Sequence, residues 1–314
     1  MQKFLFLLLS IFIVTACDTR QAPSTEAIQG TALKTADTSA PPLDKYWYQG
    51  KGEVSRYELQ QNRYQDVHPG EVVLIFVTED FLTDKQVKNE RYQDEKSVKI
   101  LKTNQLRRFT TGLYDYSVMT SVFTPVDTKT LPRTLKVTNS TQDWCGQAFM
   151  QLNWRDNAYQ AQIRSYFEQE HDQNLSVSGA VLEDELFNRI RLNPAALPTG
   201  QVQMVPSLSI LRLLHQPFQI ENTEASLAAY TGDEFAGADL QAYRVRFPRT
   251  NRTLEIVFEN KTPYHIAGWS ETYPDFNGQV RRTVAKKSST VLTPYWQQNR
   301  LEDMAQRSTL GVGK

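Results

Sequence analysis

Apolar side chains recur at every second position along most of this chain, the period that turns one face of a strand to a core and the other to water. Tyr243, Val245 and Phe247 alternate with Arg244 and Arg246, and Leu254, Ile256 and Phe258 alternate with Glu255 and Glu259. Residues 248–252 between these runs are turn-rich, so the pair reads as a hairpin. A second hairpin sets Met150, Leu152 and Trp154 before a turn at Arg155, Asp156 and Asn157, then returns through Tyr159, Ala161 and Ile163. Asn277-Gly278, whose residues both accept positive φ, joins a strand over 266–273 to one over 280–284. Further strands are expected over 53–64, 71–78, 98–109 and 114–123. The run 72–77 is apolar on both faces, which predicts a central strand under a covering layer.

One segment shows the helical period instead. Leu182, Leu186 and Ile190 recur at four-residue spacing, with Glu183, Asp184 and Glu185 at one end, Arg189 and Arg191 at the other, and Pro194 beyond. That predicts a helix over 182–192 whose end charges complement its dipole. Residues 208–214 fit a strand or a short helix, 297–304 a short helix, and 311–314 a frayed end. Many hairpins, few helices and no strand–helix alternation predict a mainly β fold: a large curved antiparallel sheet or incomplete barrel with a few short helices.

The 314 residues include 35 basic and 35 acidic side chains, so the chain has no basic footprint of the kind nucleic acid requires. An apolar content of 40% supports a sizeable core and excludes a disordered chain. The first seventeen residues add more. Lys3 precedes an apolar stretch over 4–14, and Val14-Thr15-Ala16 lead into Cys17. This is the layout of a secretory signal peptide, and about eleven apolar residues are too few to span a bilayer. Small residues directly before a cysteine resemble the bacterial lipobox. The resemblance implies that 1–16 are removed and that Cys17 is acylated, palmitate included, and anchors the chain to a membrane. Residues 17–42 then read as the acylated cysteine and a flexible tether, rich in Ser, Thr, Ala and Pro and free of aromatics. A single β-rich globular domain is expected over 43–310. With Cys17 acylated, Cys145 is the sole thiol and no intramolecular disulfide can form.

Candidate chemistry is sparse. Cys145 precedes Gly146 and invites a thiol-nucleophile reading with His68, His171, His215 or His265 as base. Nothing in the spacing brings a histidine to it, and an inert, buried cysteine is the preferred reading. Glu168, Glu170, His171 and Asp172 gather potential metal ligands, but a polar loop explains them as well, and no metal or other cofactor is expected. Glu183-Asp184-Glu185 reads as a dipole interaction rather than an acid/base pair. The doublets Arg107-Arg108, Arg281-Arg282 and Lys286-Lys287 read as solvated strand faces in preference to headgroup contacts. The 14 Tyr and 5 Trp suit either a core or a pocket for an apolar ligand.

Five stretches resemble an uncharacterised family of lipoproteins from Bacteroidota: Tyr46-Trp47-Tyr48-Gln49-Gly50-Lys51-Gly52-Glu53, residues 70–79, Arg108-Phe109-Thr110-Thr111-Gly112, Trp144-Cys145-Gly146, and Glu183-Asp184-Glu185-Leu186 through Asn193-Pro194. Some members carry the label of a septum-formation inhibitor of the Maf type, which implies a nucleotide pyrophosphatase. This chain lacks the Ser-Pro-Arg-Arg motif of that pattern and its α/β alternation, so no catalytic residue carries over. The expected function is non-enzymatic: a cell-envelope lipoprotein that binds an apolar ligand or an envelope partner, with a hydrolase or thiol enzyme centred on Cys145 as the alternative. The expected location is the outer membrane, facing the periplasm, although Asp18 resembles an enterobacterial inner-membrane retention signal.

Overall fold

The computed structural model describes residues 25–30, 43–92 and 96–312. Cys17, the expected signal peptide and most of the expected tether lie outside the described residues. The strands of the first half are β1 (Glu26–Gln29), β2 (Gly52–Arg63), β3 (Asp66–Leu82), β4 (Val87–Lys88), β5 (Ser97–Thr111) and β6 (Tyr114–Pro125). Next come β7 (Lys136–Asp143), β8 (Gly146–Arg155), β9 (Ala158–Ser165), β10 (Gln173–Ser178) and β11 (Val181–Leu182). A short helix, α1 (Leu186–Leu192), precedes β12 (Gly200–Val205), and a second, α2 (Leu208–Leu213), precedes β13 (Glu221–Ala229). The chain closes with β14 (Leu240–Phe247), β15 (Arg252–Glu259), β16 (Ile266–Pro274), β17 (Val280–Thr293) and α3 (Ala305–Leu310).

These strands form one sheet, and the fold is mainly β. Neighbours are antiparallel from β12 through β17, then across to β2, and on through β3 and β5 to β10. The sheet curls into an incomplete barrel whose seam is bridged by two parallel pairings, β1 on β10 and β11 on β12. Apolar inward residues and the two internal helices make the core. Leu186 and Ile190 of α1 pack with Tyr57, Leu74, Ile256 and Trp269 in one half of the lumen. Leu208 and Leu211 of α2 pack with Val137, Met150, Tyr159 and Val177 in the other.

The helix expected over 182–192 is present as one 3-10 turn, Glu183–Glu185, continuing into α1. Residues 208–213 are helical. The expected C-terminal helix begins inside its span as a 3-10 turn over Leu301–Met304 and runs on as α3 to Leu310, stopping at Gly311 in the left-handed region. Asp156 and Asn157 both take positive φ, the two-residue hairpin turn that matches strand twist. At Asn277-Gly278 only Gly278 does, and the loop is wider, closed by Asp275 N–H donating to the Gln279 carbonyl at 2.8 Å. Two expectations need correcting. Val73 and Ile75 are only half-buried, so β3 has its dense layer on the lumen side alone, where Val72, Leu74 and Phe76 are fully enclosed. The tether is not uniformly unstructured either. Residues 26–29 pair with β10, and a Cβ at Gly179, whose φ is +75°, would collide with the Gly30 carbonyl.

Candidate functional site

The barrel holds buried charge in its lumen and exposed apolar side chains at both ends, Leu113, Trp144, Tyr166 and Phe276 at one and Tyr48, Tyr92, Trp296 and Leu301 at the other. Charged residues enter the lumen wherever they fall in phase with inward apolar ones. Arg252 is in phase with Leu254, Ile256 and Phe258; Glu271 with Trp269 and Tyr273; Arg107 with Leu101 and Phe109; Glu53 with Tyr57 and Leu59. The turn before α1 then brings Glu183 against Arg252, whose guanidinium donates to both carboxylate oxygens and lies 3.4 Å from Glu271. Arg107 closes the chain, donating to Glu271 at 3.3 Å and to the Gln61 side-chain carbonyl at 3.0 Å. From α1 itself, Arg191 meets Glu53 in a bidentate pair at 2.6 and 2.7 Å and lies over the rings of Trp47 and Phe76. Burial opposes the charge on Glu53, but Arg191, His265 and Tyr46 hold its carboxyl well below the usual carboxylate range.

Asp184 differs from these paired groups. Its oxygens accept from Ser207 Oγ at 2.6 Å and from the Leu208 backbone N–H at 3.0 Å. Burial and the neighbouring Glu183 nevertheless push its carboxyl up to about 7. It lines an interior cavity of about 30 Å³ with Arg107, Glu183, Ser209 and Glu271, room for about one water and far too little for an acyl chain.

The acidic triplet therefore acts through buried ion pairs: Glu183 with Arg252, and Glu185 with Arg189 at 2.8 Å. This replaces the surface dipole reading. The basic doublets straddle two faces of the sheet. Arg107 is buried and paired, Arg108 is exposed, and Arg282 and Lys286 both reach Glu234 on the outside, at 2.5 and 3.3 Å.

Register places the turns at 64–65, 112–113, 144–145, 166–172, 248–251 and 275–279 at one end, the upper rim. There Leu113 is 81%, Trp144 68%, Tyr166 77% and Phe276 57% exposed. The aromatics form a connected belt. Phe276 packs on Tyr64 with ring centroids 5.4 Å apart, Tyr64 and Tyr114 share a hydroxyl contact at 2.6 Å, and Tyr114 meets Trp144 at 6.5 Å. Tyr166 lies against Gly146, two residues after Trp144. Arg63 underlies the belt, 4.4 Å from the Tyr64 ring centroid, and donates to Tyr116 Oη and the Leu213 carbonyl.

Cys145 lies on this rim and is exposed, which corrects the buried reading. Asp143 Oδ1 accepts from the backbone N–H groups of Cys145 and Gly146, at 2.7 and 3.1 Å, and shapes the turn that presents the thiol. A surface groove of about 630 Å³ adjoins it, lined also by Arg164, Tyr166 and Asp172. Among the described residues no histidine is hydrogen-bonded to Cys145: His215 pairs with Glu170 at 2.8 Å, His265 lies between Glu53 and Glu259, His68 contacts the Arg63 carbonyl, and His171 is exposed in the 166–172 loop next to Asp172 of the same groove. Glu170, offered as a metal ligand, instead joins His215, Ser165 and Arg212, and no cluster of three potential ligands occurs among the described residues. Among these residues, too, no helix is long and apolar enough to cross a membrane.

No family model and no curated protein matches the chain. Among solved structures it is similar to a β-barrel-like protein of a domain of unknown function, DUF1849, from Brucella abortus, at 10% identity and a TM-score of 0.39, covering 77% of this chain and 97% of that one. A likeness that distant bears on neither ligand nor chemistry.

Proposed function

We propose that this is a lipid-anchored cell-envelope lipoprotein that works by binding rather than catalysis, and that it binds an apolar partner on its outside, at the aromatic rim. The observation that carries this reading is the filled lumen: α1, α2 and their ion pairs occupy the space where a barrel-type carrier would hold a ligand, and the cavity beside Asp184 is about 30 Å³. Apolar surface is instead spent on rim turns whose side chains make no demand on the core. The Cys145 enzyme reading loses support because a nucleophilic thiol needs a base hydrogen-bonded to it, and among the described residues no histidine is so bonded.

Native mass spectrometry of the chain from Asp18 onward tests this. Starting at Asp18 keeps β1 in place. The expected spectrum shows the bare protein mass. A lipid adduct retained in the gas phase, lost on denaturation and undiminished in a Leu113→Asp, Trp144→Ala protein would place an apolar ligand inside and overturn surface binding. A folded Cys145→Ala protein that fails to restore a deletion strain would return the thiol reading.

A further inference from the structure

The rim's partner can be named from the way the chain leaves the barrel. β1 runs parallel to β10, with Glu26 level with Leu175 and Gln29 level with Ser178. Leu175 is near the start of β10, just after the 166–172 loop, so residues before Glu26 depart at the upper rim and not at the opposite end. Cys17 is nine residues from Glu26, a reach of roughly 30 Å at full extension. The wall beside β1 is built by β9 and β10, of 8 and 6 residues or roughly 26 and 20 Å, so only a nearly straight segment doubling back along it would reach the opposite end. An acyl anchor on Cys17 therefore holds the upper rim as the end of the globule nearest the bilayer.

That same rim carries Leu113, Trp144, Tyr166 and Phe276 at the tips of four turns or loops. Tyr and Trp combine a large apolar body with a polar tip, and they favour the depth where lipid headgroups meet acyl chains. The nearby charges suit a neutral surface. Asp143 pairs with Arg212 at 3.2 Å, Glu170 with His215 at 2.8 Å and Asp275 with Arg281 at 2.7 Å, while Asp66, Glu168 and Asp172 add negative charge that calls for no anionic lipid.

We infer that the upper rim seats itself in the leaflet that holds Cys17, with Trp144 and its neighbours at headgroup depth, so that the anchor and rim fix the barrel's orientation on the membrane. This rests on the lipoprotein reading above. The test uses the full mature chain, purified with its anchor and reconstituted into phosphatidylcholine vesicles whose acyl chains carry bromine, a contact quencher of tryptophan fluorescence. Trp47 and Trp269 are buried, Trp154 is half-buried at the opposite end beneath Arg133, and Trp296 lies at that end too, half-exposed. Quenching is expected in the wild type and in Trp296→Phe, with at least half of it gone in Trp144→Phe and a twofold reduction in Leu113→Asp. Quenching that survives Trp144→Phe but disappears in Trp296→Phe would put the other rim on the membrane and overturn the proposal. So would a floating protein in which no tryptophan is quenched. The mass of the N-terminal peptide separates the two levels: acylated Cys17 with unquenched Trp144 sinks the rim alone, and unmodified Cys17 sinks both.

Discussion

Inside the barrel, Glu183, Arg252, Glu271 and Arg107 are almost wholly shielded from water and answer one another's charge across three strands and the turn before α1. At the upper rim, Asp143, Arg212, Glu170 and His215 form a second network, but His215 reaches solvent and the surrounding Leu113, Trp144 and Tyr166 face outward. The lumen network locks a polar segment into a place that only those partners can make tolerable, because a buried charge without a counter-charge is costly. The rim's apolar tips have no such folding purpose. Apolar residues exposed on turns, as at this rim, are where an external partner is to be sought.

The sharpest way to break this contrast is to remove one lumen charge. Arg252→Met leaves Glu183 and Glu271 buried with their shared cation gone, and should destabilise the fold by about 3–5 kcal/mol. Denaturant unfolding measures it; a loss under about 1 kcal/mol would mean the network is incidental to holding the α1 segment.

A smaller effect with a defined pH window belongs to Asp184. Its folded carboxyl sits at about 7, above the usual carboxylate range, so folding favours the protonated form. Its contribution is therefore full in acid, declines as pH rises from about 4 to about 7, and is absent above that, a span worth at most about 4 kcal/mol. Glu53 has the opposite sign: its depressed carboxyl contributes at neutral pH and is lost on acidification below about 4. Asp184→Asn, whose carbonyl can still accept from the Leu208 N–H, should flatten the decline between pH 4 and 7 and leave the acid limb intact. Melting temperatures across that range decide it. An unchanged profile would assign the decline to another group.

Much of the lumen's frame was legible as period-two alternation: strands expected over 98–109 and 114–123 fall within β5 and β6, and the one expected over 53–64 overruns β2 by one residue. The helix over 182–192 was legible because Leu186 and Ile190 keep their spacing while fully buried. β7 and β13 escaped notice because their inward residues include Asn139, Thr141 and Thr223, polar groups that carry no hydrophobic period yet are fully enclosed. The acidic triplet was misread because a dipole argument sees only its own helix, whereas the partner of Glu183 lies 69 residues along the chain. Phase alone marks Arg252 and Arg107 as inward, but which carboxylate each meets is set by the barrel's closure. The rim belt had no one-dimensional signal at all, since its members come from separate turns that only register brings level.

The smallest expected effect sharpens the comparison most. Leu113→Ser removes a side chain that is 81% exposed and lies outside the core clusters, so the stability of the protein in solution should change by no more than about 0.5 kcal/mol. The same substitution made at Ile190, fully enclosed beside Trp269, deletes core packing that costs about 2–5 kcal/mol even in a plain Ile→Ala change. If the rim tips exist for an external apolar surface, Leu113→Ser must leave unfolding untouched and still weaken the seating of the acylated chain on neutral vesicles, read as slower or lesser quenching of Trp144. A Leu113→Ser protein that loses stability like a core mutant would place the rim among the structural parts of the fold, and the distinction between lumen and rim would dissolve.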